Sequence, residues 1–436
     1  MAQKPDPYEL EGVKRCALTP FPWLTVFFAM LAFLLGLIML SPIPEKVRRK
    51  IGISGSKEKV KPVPPPKPEI IVIEKIVEKV VRVGPPYYTV KSGTDITKTS
   101  MGFDFKSLVE ERPGRLVTTE REGNGSYEAS FTIFINRPEA AKHLDEVTMA
   151  NPELLKALPG LEPMIEKARV SPFFNKLYDN KLSRLKTYAK RIDRLLTKHN
   201  YYDCQTMLEL EHPGSKRKVF LMQSDMDVVS DGSDGDRLPA MPDEIVNSSH
   251  YQPFTSFGWA KTGKVENPMI EGWKKLLVKE KASGNTKEVK RLETGINDLK
   301  KRSFLIAEYD PFIVIPVDVL ADRESPFGPN VGDYAVVMYG KALYPAIVGD
   351  GGPTFKVGEA SLRMAKELND KVSPYSRPVS DVSVTYLVFP RSSGKWAAPN
   401  YENWRSECLK LVNEIGGLGE GYDLHRWADI LPQPGQ

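Results

Sequence analysis

An uncharged apolar segment near the N-terminus constrains this chain more than any other feature of its sequence. No charged residue occurs from Ala17 to Pro44, and Trp23–Leu40 is an almost purely hydrocarbon run of 18 residues. A run of this length is about what crosses a bilayer core of ~30 Å. It is also longer than the ~7–15 apolar residues of a signal peptide. We therefore expect a transmembrane helix at residues 23–40, with residues 1–44 forming a cytoplasmic tail and an anchor.

The charges around this segment leave its orientation open. Four basic residues follow it between positions 46 and 50, and the positive-inside bias alone would place the downstream chain in the cytoplasm. The composition and chemistry further along the chain favour the opposite arrangement. We expect a single-pass membrane protein whose catalytic domain is exported, either to a periplasm or outside the cell.

Residues 45–90 have the composition of a stalk. Lys61–Pro68 is proline-rich and predicts a stiff, extended polyproline II stretch. In the following segment, residues 69–83, β-branched residues recur at spacings of three and four, as in a coiled-coil seam. The same residues also suit a strand. The segment is a candidate for oligomerisation, and a semi-rigid spacer is the simpler interpretation.

Composition excludes several classes of function for the remainder. The chain has 61 Lys and Arg against 56 Asp and Glu, a net charge of only +5, which does not indicate nucleic-acid binding. Its 3 cysteines, 5 histidines and lack of a CxxC pair do not indicate a zinc site. No Walker A motif and no GxGxxG after a strand are present, so no cofactor is expected. Whether Cys204 and Cys408 form a disulfide stays open.

The periodicity of the remaining sequence predicts an α+β fold. Residues 91–200 are interpreted as an accessory region that is mostly helical after position 138. From residue 201 to 436 short apolar runs of strand length dominate, and a charged helical hairpin interrupts them at about 268–303. The expected fold is an N-terminal transmembrane helix, a helical middle region and a β-rich catalytic domain with flanking helices.

A first acidic cluster lies at Gln223–Arg237, where five aspartates occur within twelve residues. Between positions 203 and 244 there are ten acidic residues and four basic ones. Carboxylates packed this closely repel each other and persist more easily around something positive. A calcium ion and a cationic substrate are both candidates, although the spacing is not that of an EF-hand loop. A solvated Asp/Gly turn is the alternative.

A second acidic cluster lies at Tyr344–Leu368. Asp350 ends an apolar strand, Glu359 is expected to open a helix, and Gly351 and Gly352 between them leave the backbone exposed. Two carboxylates that face one cleft suit glycoside hydrolysis, in which one group protonates the leaving oxygen and the other activates water or attacks. The alternatives are an Asp-Gly turn for Asp350 and a favourable helix-dipole contact for Glu359.

Three segments, taken in order, resemble glycoside hydrolase family 75, the chitosanases. They are QSDMDVVSDGSDGD, DPFIVIPVDVL and GDYAVVMYG…YPAIVGDGGPTFKVGEASLRMA. The resemblance covers roughly residue 202 to the C-terminus. It implies a small β-barrel, with the double-psi type as a candidate topology, and a catalytic pair formed by Asp350 as base and Glu359 as acid. It also implies inversion of configuration at the anomeric carbon.

This resemblance implies a substrate that the acidic clusters would bind. Asp225, Asp227, Asp231 and Tyr344 are then candidate substrate-binding residues, and no metal is required. An acidic groove would attract a cationic β-1,4-linked amino-sugar polymer such as chitosan. Five tryptophans are candidates for stacking on sugar rings, although each is interpreted first as a core residue: Trp259, Trp273, Trp396, Trp404 and Trp427.

The sequence therefore predicts a membrane-anchored, inverting, endo-acting glycoside hydrolase. Two alternatives stay open. One is an inactive polysaccharide-binding or envelope-structural protein that retains the groove without catalysis. The other is a peptidoglycan-cleaving hydrolase that uses the same pair of carboxylates, although an acidic groove would repel the carboxylate of muramic acid.

Overall fold

The structure is a computed structural model that describes residues 137–191 and 202–432, together with the single residues 116, 119 and 194. These residues lie in a compact unit that spans Val83–Gln436. The expected transmembrane segment at 23–40, the stalk at 45–90 and the coiled-coil candidate at 69–83 lie outside the described residues.

Short helices precede the sheet. They are α1 (Leu144–Ala150), α2 (Leu154–Ala157), α3 (Glu162–Ile165) and α4 (Pro172–Tyr188), with a two-residue strand β1 (Arg169–Val170) before α4. Proline stands at the first position of α4, where its missing N–H costs nothing. The buried side chains of α4 recur at helical spacing, which turns one face of the helix toward the sheet.

Nine further strands and six further helices follow in the described part of the chain. The strands are β2 (Cys204–Glu211), β3 (Lys218–Val229), β4 (Gly258–Ala260), β5 (Arg302–Phe304), β6 (Phe312–Pro316), β7 (Tyr334–Tyr339), β8 (Ala342–Gly352), β9 (Glu359–Ser361) and β10 (Val379–Val388). The helices are α5 (Asp243–Val246), α6 (Met269–Ser283), α7 (Thr286–Lys301), α8 (Val317–Ala321), α9 (Leu362–Leu368) and α10 (Tyr401–Glu414).

Helices α6 and α7 form a hairpin within residues 268–303, the stretch in which the sequence predicts one. Gly284 ends α6 with φ of 73°, a left-handed conformation that suits glycine. The side chain of Asn285 then caps α7 by accepting a hydrogen bond from the backbone N–H of Glu288. The short strands β4 and β5 pair antiparallel at the base of the hairpin.

The main sheet closes on itself. Its strand order is β1-β2-β3-β10-β7-β8-β6-β9, and β9 returns to pair with β3. Six strands, from β3 round to β9, therefore form a barrel, and β1 and β2 extend the sheet beyond β3. The pairs β3–β9 and β6–β8 are parallel, whereas the other neighbouring strands of this sheet pair antiparallel.

Apolar side chains on the two faces of the sheet form two large clusters. One contains Leu221, Val336 and Ile347 of the sheet together with Trp404 and Leu411 of α10. This cluster also includes apolar residues of the first helices, among them Leu154, Leu158 and Leu161. The other contains Phe174 and Leu177 of α4 and the opposite sheet face. The described part of the region predicted as accessory, residues 137–191, thus shares its core with the sheet.

The predicted fold class is wrong in its membrane part, because it includes a transmembrane helix and the described residues contain none, whereas its α+β character and its barrel agree with the structure. Within residues 137–191 and 202–432, no helix is both long and apolar enough to cross a bilayer. The longest, α4, has 17 residues and carries charged side chains among its apolar ones. What the structure shows is a mixed α+β fold in which six strands close into a barrel and helices cover the sheet.

The two cysteines of the described region are not joined. Cys204 and Cys408 are both free and buried. Burial raises the pKa of the Cys408 thiol to about 12, and it raises the pKa of the Cys204 thiol still further. Both thiols therefore remain protonated and act as small apolar core groups.

Candidate functional site

Four neighbouring strands bring three carboxylates into one row across the closed sheet. Asp227 of β3 pairs with Glu359 of β9, and Val314 of β6 pairs with Asp350 of β8. The antiparallel contact between β6 and β9 at the adjacent position places Val314 opposite Glu359. Side chains that face each other across strands lie on one side of a sheet. The row Asp227, Glu359, Val314, Asp350 is called the carboxylate row below.

The glycines after Asp350 make room for this row. A Cβ atom on Gly352 would lie 2.6 Å from Oε2 of Glu359 and 2.9 Å from Cγ1 of Val314. Gly352 is two residues beyond Asp350 and so shares its face of the strand. Any larger side chain at position 352 would collide with Glu359, which explains the glycine there.

Asp350 is buried, with 2 % of its surface exposed, and its carboxylate is held by several donors. Ser256 donates to Oδ1 of Asp350 through its backbone N–H at 2.9 Å and through its hydroxyl at 2.5 Å. The backbone N–H of Gly351 donates to the same oxygen at 2.8 Å. Three donors on one oxygen fix the plane of the carboxylate and stabilise its negative charge. Ser256 itself is exposed, so this end of the row lies next to solvent.

The segment that carries Ser256 is anchored by Asp231. Oδ1 of Asp231 accepts a hydrogen bond from the backbone N–H of Gln252 at 2.9 Å, and the N–H of Gly232 donates to the carbonyl of Gln252 at 2.7 Å. At the other end, the N–H of Phe257 donates to the carbonyl of Gly349 at 2.8 Å. Asp231 is a predicted substrate-binding residue, but the structure uses it to hold a loop against Asp350.

Glu359 does not open a helix. It begins strand β9, and helix α9 starts three residues later, at Leu362, after Ser361 has capped it by accepting from the N–H of Met364. The helix-dipole explanation for Glu359 therefore fails, because the side chain belongs to the sheet. Glu359 is buried, with 7 % of its surface exposed, and it belongs to the carboxylate row. Another explanation is needed for its position there.

A buried lysine lies between two carboxylates of the row. Nζ of Lys356 is 2.6 Å from Oε1 of Glu359 and 2.9 Å from Oδ2 of Asp227. Burial acts to lower the pKa of Lys356, but the charges of Asp227 and Glu359 outweigh it, and the pKa is raised. The ammonium is thus permanently charged and offsets part of the negative charge of the row.

Asp225 forms a second buried ion pair beside the row. One of its carboxylate oxygens, Oδ2, accepts a hydrogen bond from Nη1 of Arg377, while the other, Oδ1, is buried without a hydrogen-bond partner. Burial raises the pKa of Asp225 to about 7; Arg377 opposes this shift, and Asp203 and Asp227 add to it. Asp225 and Asp227 are both 1 % exposed, so neither presents a free acidic surface.

The first acidic cluster is therefore not an open acidic groove. Asp234 is fully buried and paired with Arg237, and Arg237 also makes a bidentate contact with Asp310. Asp236 accepts from the backbone N–H groups of residues 262 and 263. Within the described residues, no group of three or more His, Cys, Asp or Glu side chains is placed to hold a metal ion. These aspartates serve the fold, because each has found a donor or a cation.

Tyr344 lies apart from the carboxylate row. It is on β8, six residues before Asp350, which is ~20 Å along an extended strand. Its ring is 5.3 Å from that of His425 and 5.8 Å from that of Trp427, at 7 % exposure. The structure does not bring this predicted substrate-binding residue to the catalytic pair.

Sequence reasoning did not single out Ser256, Lys356 or Arg377 as site residues. Arg377 is 152 residues from its partner Asp225, and Lys356 is 129 residues from Asp227. No local motif signals such contacts. The cluster of aspartates in the sequence was an indirect signal that such partners exist, because carboxylates that are buried require a cation or a set of donors.

The arrangement has the parts needed for acid–base hydrolysis. Asp350 and Glu359 are separated by two strand spacings, so their Cα atoms lie ~10 Å apart. The carboxyls of inverting glycosidases are ~6.5–9.5 Å apart, which leaves room for water between them. A Cα separation of ~10 Å is compatible with carboxyls at that spacing.

Comparison with known families gives a match, and it covers the part of the chain that carries the row. Residues 226–421 match the family model described as fungal chitosanase of glycosyl hydrolase group 75. The match contains Asp350 and Glu359 and begins one residue after Asp225, so helices α1 to α4 lie outside it. No curated protein matches the chain. The C-terminal part of the chain is therefore similar to glycosyl hydrolase group 75.

Proposed function

We propose that this protein is an inverting, endo-acting hydrolase of a β-1,4-linked glucosamine polymer. The observation that carries the proposal is the carboxylate row, in which Asp350 and Glu359 share one face of the barrel within the region matched to the family of fungal chitosanases. A loop anchored elsewhere in the fold aligns Asp350 through Ser256, which is the kind of support that a general base needs.

In this mechanism Asp350 removes a proton from a water molecule, and the oxygen of that water attacks the anomeric carbon. Glu359 donates a proton to the glycosidic oxygen as the bond to it breaks. Attack and departure occur on opposite faces of the sugar, so the configuration at the anomeric carbon is inverted. Ser256 donates a hydrogen bond to Asp350 and so orients the carboxyl group that accepts the proton.

Lys356 constrains the acid in this scheme. Glu359 must carry a proton to act, and its carboxyl group lies 2.6 Å from the ammonium of Lys356. Asp227 offers Lys356 a second partner at 2.9 Å, so the ammonium can remain paired when Glu359 is protonated. Asp227 is then a positioning residue for the acid, in place of the substrate contact that the sequence suggested.

The same contact favours a second candidate function. An ion pair between Glu359 and the buried Lys356 also suits a domain that has lost catalysis and binds polysaccharide only. Repulsion between the clustered aspartates and the carboxylate of muramic acid is also reduced, because these aspartates are neutralised inside the fold. The choice of chitosan over peptidoglycan therefore rests on the family match.

Incubation of the purified protein with chitosan, chitin and peptidoglycan tests the proposal through the release of reducing ends. We expect cleavage of chitosan, a rapid fall in chain length typical of endo action, and a product whose first-formed anomer is α by proton NMR. Cleavage of peptidoglycan alone would change the substrate, and a β anomer would exclude inversion. Binding without cleavage of any polymer would support the inactive protein.

A polymeric substrate of this kind is found outside cells, so we also propose that the domain is exported. Fractionation of cells that produce the protein would test this, with protease digestion of intact cells or spheroplasts as the readout. Protection of the domain from protease in intact spheroplasts would contradict export.

A further inference from the structure

One tryptophan near Asp350 is exposed. Trp396 has 38 % of its surface accessible, whereas Trp259, Trp404 and Trp427 are buried at 4 %, 6 % and 8 %. Its ring lies 4.9 Å from the ring of Phe257 at an interplanar angle of 31°, which is close to a stacked arrangement. Phe257 is buried, so Trp396 forms the outer layer of this pair.

The surroundings of Trp396 hold its indole in place. Nε1 of Trp396 donates to Oγ of Ser393 at 3.2 Å. Gly332, with φ of 93°, passes so close that a Cβ atom there would lie 2.6 Å from Nε1 of Trp396. The buried Asp333 accepts from the N–H groups of Ser392 and Ser393 at 2.9 and 3.0 Å and so fixes the turn before the indole. An exposed ring held by these contacts is a rigid surface.

Backbone contacts tie this surface to the catalytic strand. The N–H of Gly332 donates to the carbonyl of Val348, and the N–H of Phe257 donates to the carbonyl of Gly349, both at 2.8 Å. Val348 is two residues before Asp350, or ~7 Å along the strand. Ser256, which is exposed and bonded to Asp350, immediately precedes Phe257.

We infer that Trp396 is a stacking platform for a sugar ring of the polymer, next to the ring whose bond is cleaved at Asp350. A tryptophan face attracts cations more strongly than other aromatic faces do, and the protonated amine of glucosamine is such a cation. The apolar face of a sugar ring also covers an exposed indole. This inference rests on the proposed function for the identity of its ligand.

Separate measurements of binding and of catalysis test whether Trp396 is a stacking platform. In a Glu359→Gln background, calorimetry with glucosamine hexamer should show a Kd about 10-fold weaker when Trp396→Ala is added, as expected for the loss of one cation–π and stacking contact. In the otherwise unchanged enzyme, Trp396→Ala should raise KM by a similar factor and leave kcat within about twofold. Trp396→Phe should retain most of the affinity, because it keeps an aromatic face and the contact with Phe257.

Tyr375→Ala provides the matched control, since Tyr375 is another exposed aromatic residue, with 56 % of its surface accessible. It should leave Kd and KM unchanged. An unchanged Kd in folded Trp396→Ala, checked by circular dichroism, would overturn the inference. If the protein cleaves nothing but Trp396→Ala still weakens hexamer binding, the platform stands and the proposed hydrolysis fails. If chitosan is cleaved with the same KM by Trp396→Ala, only the platform fails.

Discussion

The contacts of Ser256 with Asp350 lead to the first prediction at the residue scale. Ser256→Ala removes the hydroxyl donor at 2.5 Å and leaves the two backbone donors in place. Loss of one hydrogen bond to a charged group costs about 1.5–3 kcal/mol, so kcat should fall about 10- to 100-fold. Reducing-end release from chitosan measures kcat for the variant and the unchanged protein.

Two variants control this experiment. Ser256→Thr keeps the hydroxyl and should restore most of the activity. Thr255→Val removes the neighbouring hydroxyl, which donates to the carbonyl of Phe257, and should leave kcat unchanged. If Ser256→Ala retained full kcat, Ser256 would have no role in orienting Asp350.

Asp225 provides a prediction of pH-dependent stability. Burial raises its pKa from 3.8 to about 7 in the folded protein, while in the unfolded chain it ionises near its ordinary value. The unfolded chain thus releases the proton first, so this group lowers the free energy of unfolding as the pH rises from about 4 to about 7. The full effect is at most about 4 kcal/mol, from about 1.36 kcal/mol per pKa unit.

Urea denaturation from pH 4 to pH 8 would measure this effect. Asp225→Asn should be less stable overall, because Arg377 loses its partner in the interior. In a plot of the free energy of unfolding against pH, this variant should nevertheless lack the decrease between pH 4 and pH 7 that Asp225 contributes. Asp370→Asn, at an exposed carboxylate, should keep the slope of the unchanged protein. Equal slopes in all three proteins would mean that Asp225 does not titrate in this range.

At the scale of elements, helix α4 supports the loop between the two catalytic candidates. Nδ2 of Asn180 donates to the carbonyl of Thr354 at 2.9 Å, and the guanidinium of Arg184 lies 3.6 Å above the ring of Phe355. This loop, residues 353–358, carries Lys356 to its position between Asp227 and Glu359. A helix outside the family match thus positions part of the carboxylate row.

Removal of one of these contacts should reduce activity more than stability. Asn180→Ala loses the hydrogen bond to Thr354, worth about 1 kcal/mol, together with a long one to Asp318 at 3.5 Å, and kcat/KM on chitosan should fall about fivefold as the loop loosens. Asn175→Ala is the matched control on the same helix, at an exposed position, and should be neutral. Equal kcat/KM in the two variants would show that α4 does not influence the row.

The elements also show where sequence patterns succeed and fail. Apolar runs marked β7, β8 and β10, and the Gly-Asn pair marked the tip of the α6–α7 hairpin, because these signals are local. The start of α9 was misplaced, since Ser361 and not Glu359 caps it. The row itself depends on β9 pairing with both β3 and β6. No local pattern encodes such long-range pairs, although the motif spacing identified Asp350 and Glu359.

At the scale of the whole molecule, residues 137–191 belong to the same folding unit as the barrel. Leu154, Leu158 and Leu161 are at most 1 % exposed and pack in one cluster with Leu208 and Leu221 of the sheet. The sequence separated an accessory region from the hydrolase at residue 201, because the family resemblance began there. The two regions are joined by packing between segments that are distant in the sequence. No local sequence pattern predicts such packing.

This packing predicts how fragments behave. A fragment of residues 202–432 would expose the apolar surface that the first helices cover, so we expect it to aggregate or to unfold without cooperativity. A fragment of residues 137–432 should unfold in one cooperative transition. Thermal denaturation by circular dichroism and calorimetry distinguishes the two. Equal Tm values for both fragments would contradict a shared core.

The pairing of Asp350 with Glu359 is the central claim, and turnover on chitosan tests it most directly. Reducing-end release should fall by at least about a thousandfold in Asp350→Asn and in Glu359→Gln, as removal of a general acid or base requires, while circular dichroism stays unchanged. Asp370→Asn and Glu420→Gln, the same substitutions at exposed positions, should keep full activity. Substantial turnover in either folded variant at the row would contradict the roles assigned to Asp350 and Glu359.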